Sequence, residues 1–143
     1  MTNVFIAGSR QISRLPAEVQ KRIDTMIEKG FQVLVGDANG ADKAVQQYLA
    51  DKTYPNVLVH CMEDHCRNNL GHWPTRQVAA PRGARGFDYY SVKDWAMAEV
   101  AEYGLMVWDG KVRTEVGRVG RNTTCPASET DSDRYYHLAR RIA

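Results

Sequence analysis

The sequence predicts an α/β protein, a three-layer sandwich around a mainly parallel sheet of four or five strands. Three observations predict it. Apolar runs recur at residues 4–7, 31–35 (broken only by Gln32), 57–59 and 105–108. Segments with apolar residues at helical spacing alternate with them, which implies crossover connections and a parallel sheet covered on both faces. The first two runs each end at a glycine followed by polar residues, Gly8-Ser9-Arg10 and Gly36-Asp37-Ala38-Asn39-Gly40. In open α/β sheets ligands sit beyond the carboxyl ends of the strands, which is where these corners fall.

The elements follow in order. Residues 4–7 (Val-Phe-Ile-Ala) are apolar throughout, as in a strand buried on both faces. Pro16 opens a helix with Val19, Ile23, Met26 and Ile27 on one face, and Gly30 fits its carboxyl-terminal cap. Residues 31–35 form the second strand, 41–50 the second helix and 56–61 the third strand. Residues 62–90 hold Gly71, Pro74, Pro81, Gly83 and Gly86 and read as a long functional loop. Ser91 then reads as a helix cap with Asp94 as its capping-box acid, and Gly104 as the end of that helix. Residues 105–108 are the fourth strand, and Asp109-Gly110 turns after it. Residues 111–143 are a tail of the same single domain as the 1–110 core. No apolar run in the tail suits a further core strand, but Tyr135, Leu138, Ala139 and Ile142 suit a terminal helix.

A chain of 143 residues can bury a core without metal or disulfide staples. Its 43% apolar and 25% charged content excludes wholesale disorder, and a net charge of +2 argues for neither nucleic acid nor a membrane surface as partner. The three cysteines and the absence of a long apolar run lead to a cytoplasmic expectation. His60, Cys61, His65, Cys66 and His72 fit no zinc spacing, so no metal site is expected there. Cys61 reads as a small core residue, and the histidines as surface or loop residues.

The corners are the candidate site. A helix beginning near Ala41 offers amides at Asn39, Gly40 and Ala41 to an anion, at the positive end of the helix dipole. Glycine lets a phosphate approach the backbone at Gly36 and Gly40. The competing reading is a tight turn in which Asp37 or Asn39 caps the helix. Gly8, Ser9 and Arg10 add a backbone turn, a hydroxyl and a guanidinium suited to phosphate. Arg85, in a basic aromatic stretch with Arg82, Tyr89 and Tyr90, reads as a further phosphate ligand, as part of a single-strand-binding surface, or equally as part of an exposed loop with Phe87 and Tyr90 tucked into the core. Asp109 could hydrogen-bond a ribose or coordinate magnesium, although no cofactor is evident.

Taken together, residues 4–10, 35–42, 86–90 and 108–111 (Val-Phe-Ile-Ala-Gly-Ser-Arg, Val-Gly-Asp-Ala-Asn-Gly-Ala-Asp, Gly-Phe-Asp-Tyr-Tyr and Trp-Asp-Gly-Lys) resemble the SLOG superfamily. The similarity spans about residues 3–111 and is nearest to the small YspA- and YpsA-related branch. It implies a Rossmann-like sheet, an oligomer of identical chains, and a nucleotide or nucleotide-derived ligand. It favours Gly8, Ser9, Arg10, Gly36, Asp37, Gly40 and Asp42 as ligand residues and also covers Lys93 and Asp94. The P-G-G-x-G-T-x-x-E motif of LOG phosphoribohydrolases is missing from the chain. Thr114 follows Lys111 without the usual glycine. The leading expectation is therefore nucleotide binding, as a sensor. The alternatives are N-glycosidic hydrolysis of a nucleoside monophosphate, with Glu99, Asp109 or Glu115 as its carboxylate, and single-stranded nucleic-acid binding.

Overall fold

A computed structural model describes residues 2–8, 12–107 and 117–118. The elements run β1 (Asn3–Gly8), α1 (Ala17–Glu28), β2 (Gln32–Gly36), α2 (Ala41–Asp51), β3 (Val57–Met62), β4 (Thr75–Val78), α3 (Gly86–Val100), β5 (Tyr103–Val107) and β6 (Gly117–Arg118). The sheet order is β4-β3-β2-β1-β5-β6. All pairings from β4 to β5 are parallel, and the two-residue β6 runs antiparallel to β5. The fold is thus the expected Rossmann-like α/β sandwich, and the strand order reverses direction at β1.

Strand alternation sorts side chains to the two faces. Val4, Ile6, Val33, Val35, Val57, Val59 and Cys61 pack with Val19, Ile23 and Met26 of α1 and Val45 and Leu49 of α2. Phe5, Ala7 and Leu34 pack with Met97 and Ala98 of α3 on the opposite face. The helical residues recur every three or four positions, so one stripe of each helix is buried. Full burial of each such aliphatic side chain contributes roughly 1.5–3 kcal/mol. Pro16 takes the position before α1, and Gln20 donates to its carbonyl at 3.1 Å. Gly30 follows α1 at φ 69°, the left-handed geometry that a residue with a Cβ resists.

Three elements differ from their sequence expectation. The 62–90 loop contains β4, a Thr-Arg-Gln-Val edge strand whose first three residues are exposed, so it lacks an apolar signature. Helix α3 starts at Gly86, not Ser91, with exposed Arg85 before it, and Asp94 lies well inside it. It ends at Val100, where Ala101 turns extended, and Gly104 lies within β5 opposite Phe5. Trp108, Asp109 and the expected terminal helix fall outside the described residues. Among those described, no helix is long and apolar enough to cross a membrane.

Candidate functional site

Gly8 ends β1 at the sheet's reversal point. A Cβ there would strike the carbonyl of Val107 on β5 and approach the Ala41 Cβ to 2.9 Å. The end of β1 and the start of α2 are therefore side by side, as the two-corner reading requires. Ser9 and Arg10 continue from this point but lie outside the described residues, as do Asp109, Thr114 and Glu115.

The β2–α2 corner is held open by glycine. Gly40, just before α2, has φ 87° and ψ −129°, a conformation reserved almost entirely for glycine. No side chain of this residue caps the helix, and neither carboxylate of the corner is spent there. Asp42 accepts a hydrogen bond from the Ala38 amide at 3.1 Å. Asn39 accepts one from the Asn68 side-chain amide at 3.0 Å.

Asp37 and Asp42 turn inward to a buried lysine. Lys93 of α3, 3% exposed, places Nζ 3.7 Å from Asp37 Oδ1, 3.5 Å from Asp42 Oδ2 and 3.7 Å from Asp94 Oδ1. Space for it exists because Gly36 has no side chain: a Cβ there would meet Nζ at 2.7 Å and would collide with Asp42 Oδ2. Arg67 adds a second cation against the three carboxylates. Its guanidinium donates to Asp37 Oδ1 at 3.0 Å, and its backbone amide donates to Oδ2 at 2.9 Å. Asn68 donates to the Asp37 carbonyl at 2.8 Å. Gln46, fully buried, donates to the carbonyls of Gly36 and Asn68 and accepts from the Leu70 amide.

Burial opposes every charge in this cluster, and the partners decide the outcome. For Lys93 burial disfavours the ammonium, but Asp94, Asp42 and Asp37 together raise its pKa. For Asp37 burial is likewise the largest influence, yet Arg67 and Lys93 outweigh it and hold the carboxyl below its ordinary range. Burial prevails at Asp42, whose pKa is raised despite Lys93 and the Ala38 amide. It also prevails at Asp94, which is pushed up to about 6.

His60 lies beside this cluster. It pairs with Gly36 across the sheet and shares its parity with Leu58, on the α3 face. It is fully buried, which corrects the expectation of a surface or loop histidine. Neither ring nitrogen has a hydrogen-bond partner. Burial lowers its pKa to about 4, with Arg76 and Lys93 adding to the effect. The Leu58 carbonyl counteracts part of it without meeting either nitrogen in hydrogen-bonding geometry. His65 and His72 are exposed, and Cys61 is not a free core thiol but is bonded to Cys66. Among the described residues no group of three or more His, Cys, Asp or Glu side chains is placed to hold a metal ion.

The other sequence candidates separate. Arg82 and Arg85 are exposed in the segment leading into α3, at the same sheet edge as the corners. Glu99 is exposed in the last turn of α3, at the opposite edge. Arg67, Asn68, Gln46 and His60 were not singled out for the site by sequence reasoning. The partners of Arg67, Asn68 and Gln46 lie up to 31 residues away in the chain. The one local signal is His60 itself, a histidine inside an otherwise apolar strand.

Comparison with protein-family models, curated proteins and solved structures finds no match to this chain.

Proposed function

We propose that the protein binds a nucleotide or nucleotide-derived ligand at the carboxyl edge of the sheet, with its phosphate at the start of α2 and Arg10 as charge partner. One observation carries this reading. The corner contains two aspartates that would repel an anion, and both are paired internally, by Lys93 and Arg67. The dipole of α2 then acts on the corner without uncompensated carboxylates beside it. The close approach of the Gly8 and Ala41 positions adds support, since the end of β1 lies beside that helix start. The resemblance to SLOG proteins points to the same ligand class, and a sensor would need no catalytic group.

Thermal unfolding against AMP, NAD, ADP-ribose, cyclic nucleotides and inorganic phosphate tests it. A ligand at 100 times its dissociation constant should stabilise by about 2.7 kcal/mol. Arg10→Ala should remove most of the shift. No shift with any compound ends the proposal, and an unchanged shift in Arg10→Ala removes Arg10 from it.

A second reading, N-glycosidic cleavage of a nucleoside monophosphate, draws on Asp94, whose buried carboxyl with a pKa of about 6 suits proton transfer near neutrality. Release of free base from nucleoside monophosphates is its test, and release equal to a protein-free blank excludes it.

A further inference from the structure

The turn after β3 is closed by a disulfide between Cys61 and Cys66, with Cα atoms 5.0 Å apart. Cys61 is fully buried in the sheet, whereas Cys66 is half-buried. Glu63, between them, has φ 53°, so the chain reverses sharply. Within the turn, His65 donates to the Met62 carbonyl over a long 3.4 Å. Glu63 donates to the Val78 carbonyl at 2.8 Å on the β3 side of the turn, and the covalent bond is the tie at residue 66 itself.

The next residues are the ones that grip the candidate site. Arg67 holds Asp37 through backbone and guanidinium, Asn68 holds the Asp37 carbonyl and Asn39, and Gln46 pins Asn68 and Leu70. The Arg67 amide that donates to Asp37 belongs to the peptide directly after Cys66. We propose that Cys61–Cys66 is a reversible redox clamp on the β2–α2 corner. Oxidised, it presses residues 67–70 onto Asp37 and Asn39; reduced, it lets that segment detach while the sheet stays folded.

The chemistry is thiol–disulfide exchange with a dithiol reductant. A thiolate of the dithiol attacks the more accessible Cys66 Sγ. The Cys61–Cys66 bond breaks, and Cys61 leaves as a thiolate that takes up a proton. The second thiol then attacks the reductant's own sulfur in the mixed disulfide and releases Cys66 as a thiol. Two electrons pass to the protein, and the dithiol ends as a cyclic disulfide. A short ring constrains the unfolded chain modestly, so loss of the bond should lower the melting temperature by only about 5 °C.

The test is peptide mapping and amide hydrogen exchange on the full chain, with and without dithiothreitol. We expect Cys61 and Cys66 linked in air-purified protein. Reduction should accelerate exchange at the Arg67 and Leu70 amides at least tenfold and leave β1 and β2 unchanged. Cys66→Ser should exchange rapidly there under both conditions. Unlinked cysteines, unchanged exchange at 67 and 70 after reduction, or acceleration throughout the sheet would each overturn the proposal. Any effect on ligand affinity rests on the nucleotide reading, but the exchange measurement does not, so the two can fail separately.

Discussion

Gly36 and Lys93 occupy one site between them: the lysine ammonium stands 2.7 Å from where a Cβ on residue 36 would be. The glycine ends a buried parallel strand, and the lysine enters from a helix 57 positions later in the chain. Glycine at a strand end is usually explained by the turn that follows. Here the missing side chain makes room for a cation under the candidate site, and that cation stands against three carboxylates.

Gly36→Ala should therefore destabilise the fold by overpacking, by about 1–3 kcal/mol. Lysine is flexible, but this one is held by three carboxylates, and the nearest neighbour, Asp42, has a short side chain. Urea unfolding measures the loss. In Gly36→Ala/Lys93→Met the combined loss should be smaller than the sum of the two, because both changes act on the same space. Strict additivity would mean the methyl group is accommodated elsewhere.

Lys93→Met removes the cation and leaves Asp37, Asp42 and Asp94 with Arg67 as their remaining counter-charge. Breaking a buried pair in this way costs about 3–5 kcal/mol near neutral pH. The loss should shrink at pH 5. Without Lys93 the folded carboxyls bind protons more readily than the unfolded ones, so acidification favours the folded state of the variant. Urea midpoints at pH 8 and pH 5 decide the matter. A loss equal at both values would show that the carboxyls do not depend on Lys93 for their charge.

The difference between what was legible in the sequence and what was not follows from locality. β1, β2, β3 and β5 are buried on both faces, and a continuous apolar run shows this directly. β4 is an edge strand with polar residues outward, so its Thr-Arg-Gln-Val stretch looks like loop. The first turn of α3 was hidden because Gly86 resembles a breaker and Ser91 resembles a cap. The β2–α2 corner was legible from its two glycines, although only Gly40 answers a local backbone demand, and Gly36 answers to Lys93 far along the chain. Its supporting shell was not. Lys93 lies 51 positions from Asp42, and Arg67 lies 30 from Asp37, so no spacing rule relates them. A buried lysine on a helix also looks like any solvated one until its carboxylates are found. The Cys61–Cys66 pairing was not legible because three cysteines give no disulfide framework and nothing in the sequence shows the turn that joins the two sulfurs.

His60 and Asp94 oppose one another in the same pH window. The histidine pKa falls from 6.5 unfolded to about 4 folded, so the unfolded chain binds more protons and stability is lost as pH falls through that range. The Asp94 pKa rises from 3.8 to about 6, so the folded chain binds more protons and stability is lost as pH rises through nearly the same range. Their effects on the native protein largely cancel, and single variants should separate them. His60→Leu removes two unsatisfied buried nitrogens at similar volume and should be neutral or stabilising at pH 7. Relative to the native protein, it should gain about 2 kcal/mol more at pH 5 than at pH 7. Asp94→Asn should drift the other way, gaining about 1 kcal/mol against the native protein between pH 5 and pH 7. Denaturant midpoints at the two pH values measure both. If His60→Leu and the native protein keep a constant difference, the imidazole accepts its proton without penalty inside the fold. The orphaned nitrogens would then have a partner, and the electrostatic picture of the α3 face would have to be redrawn around it.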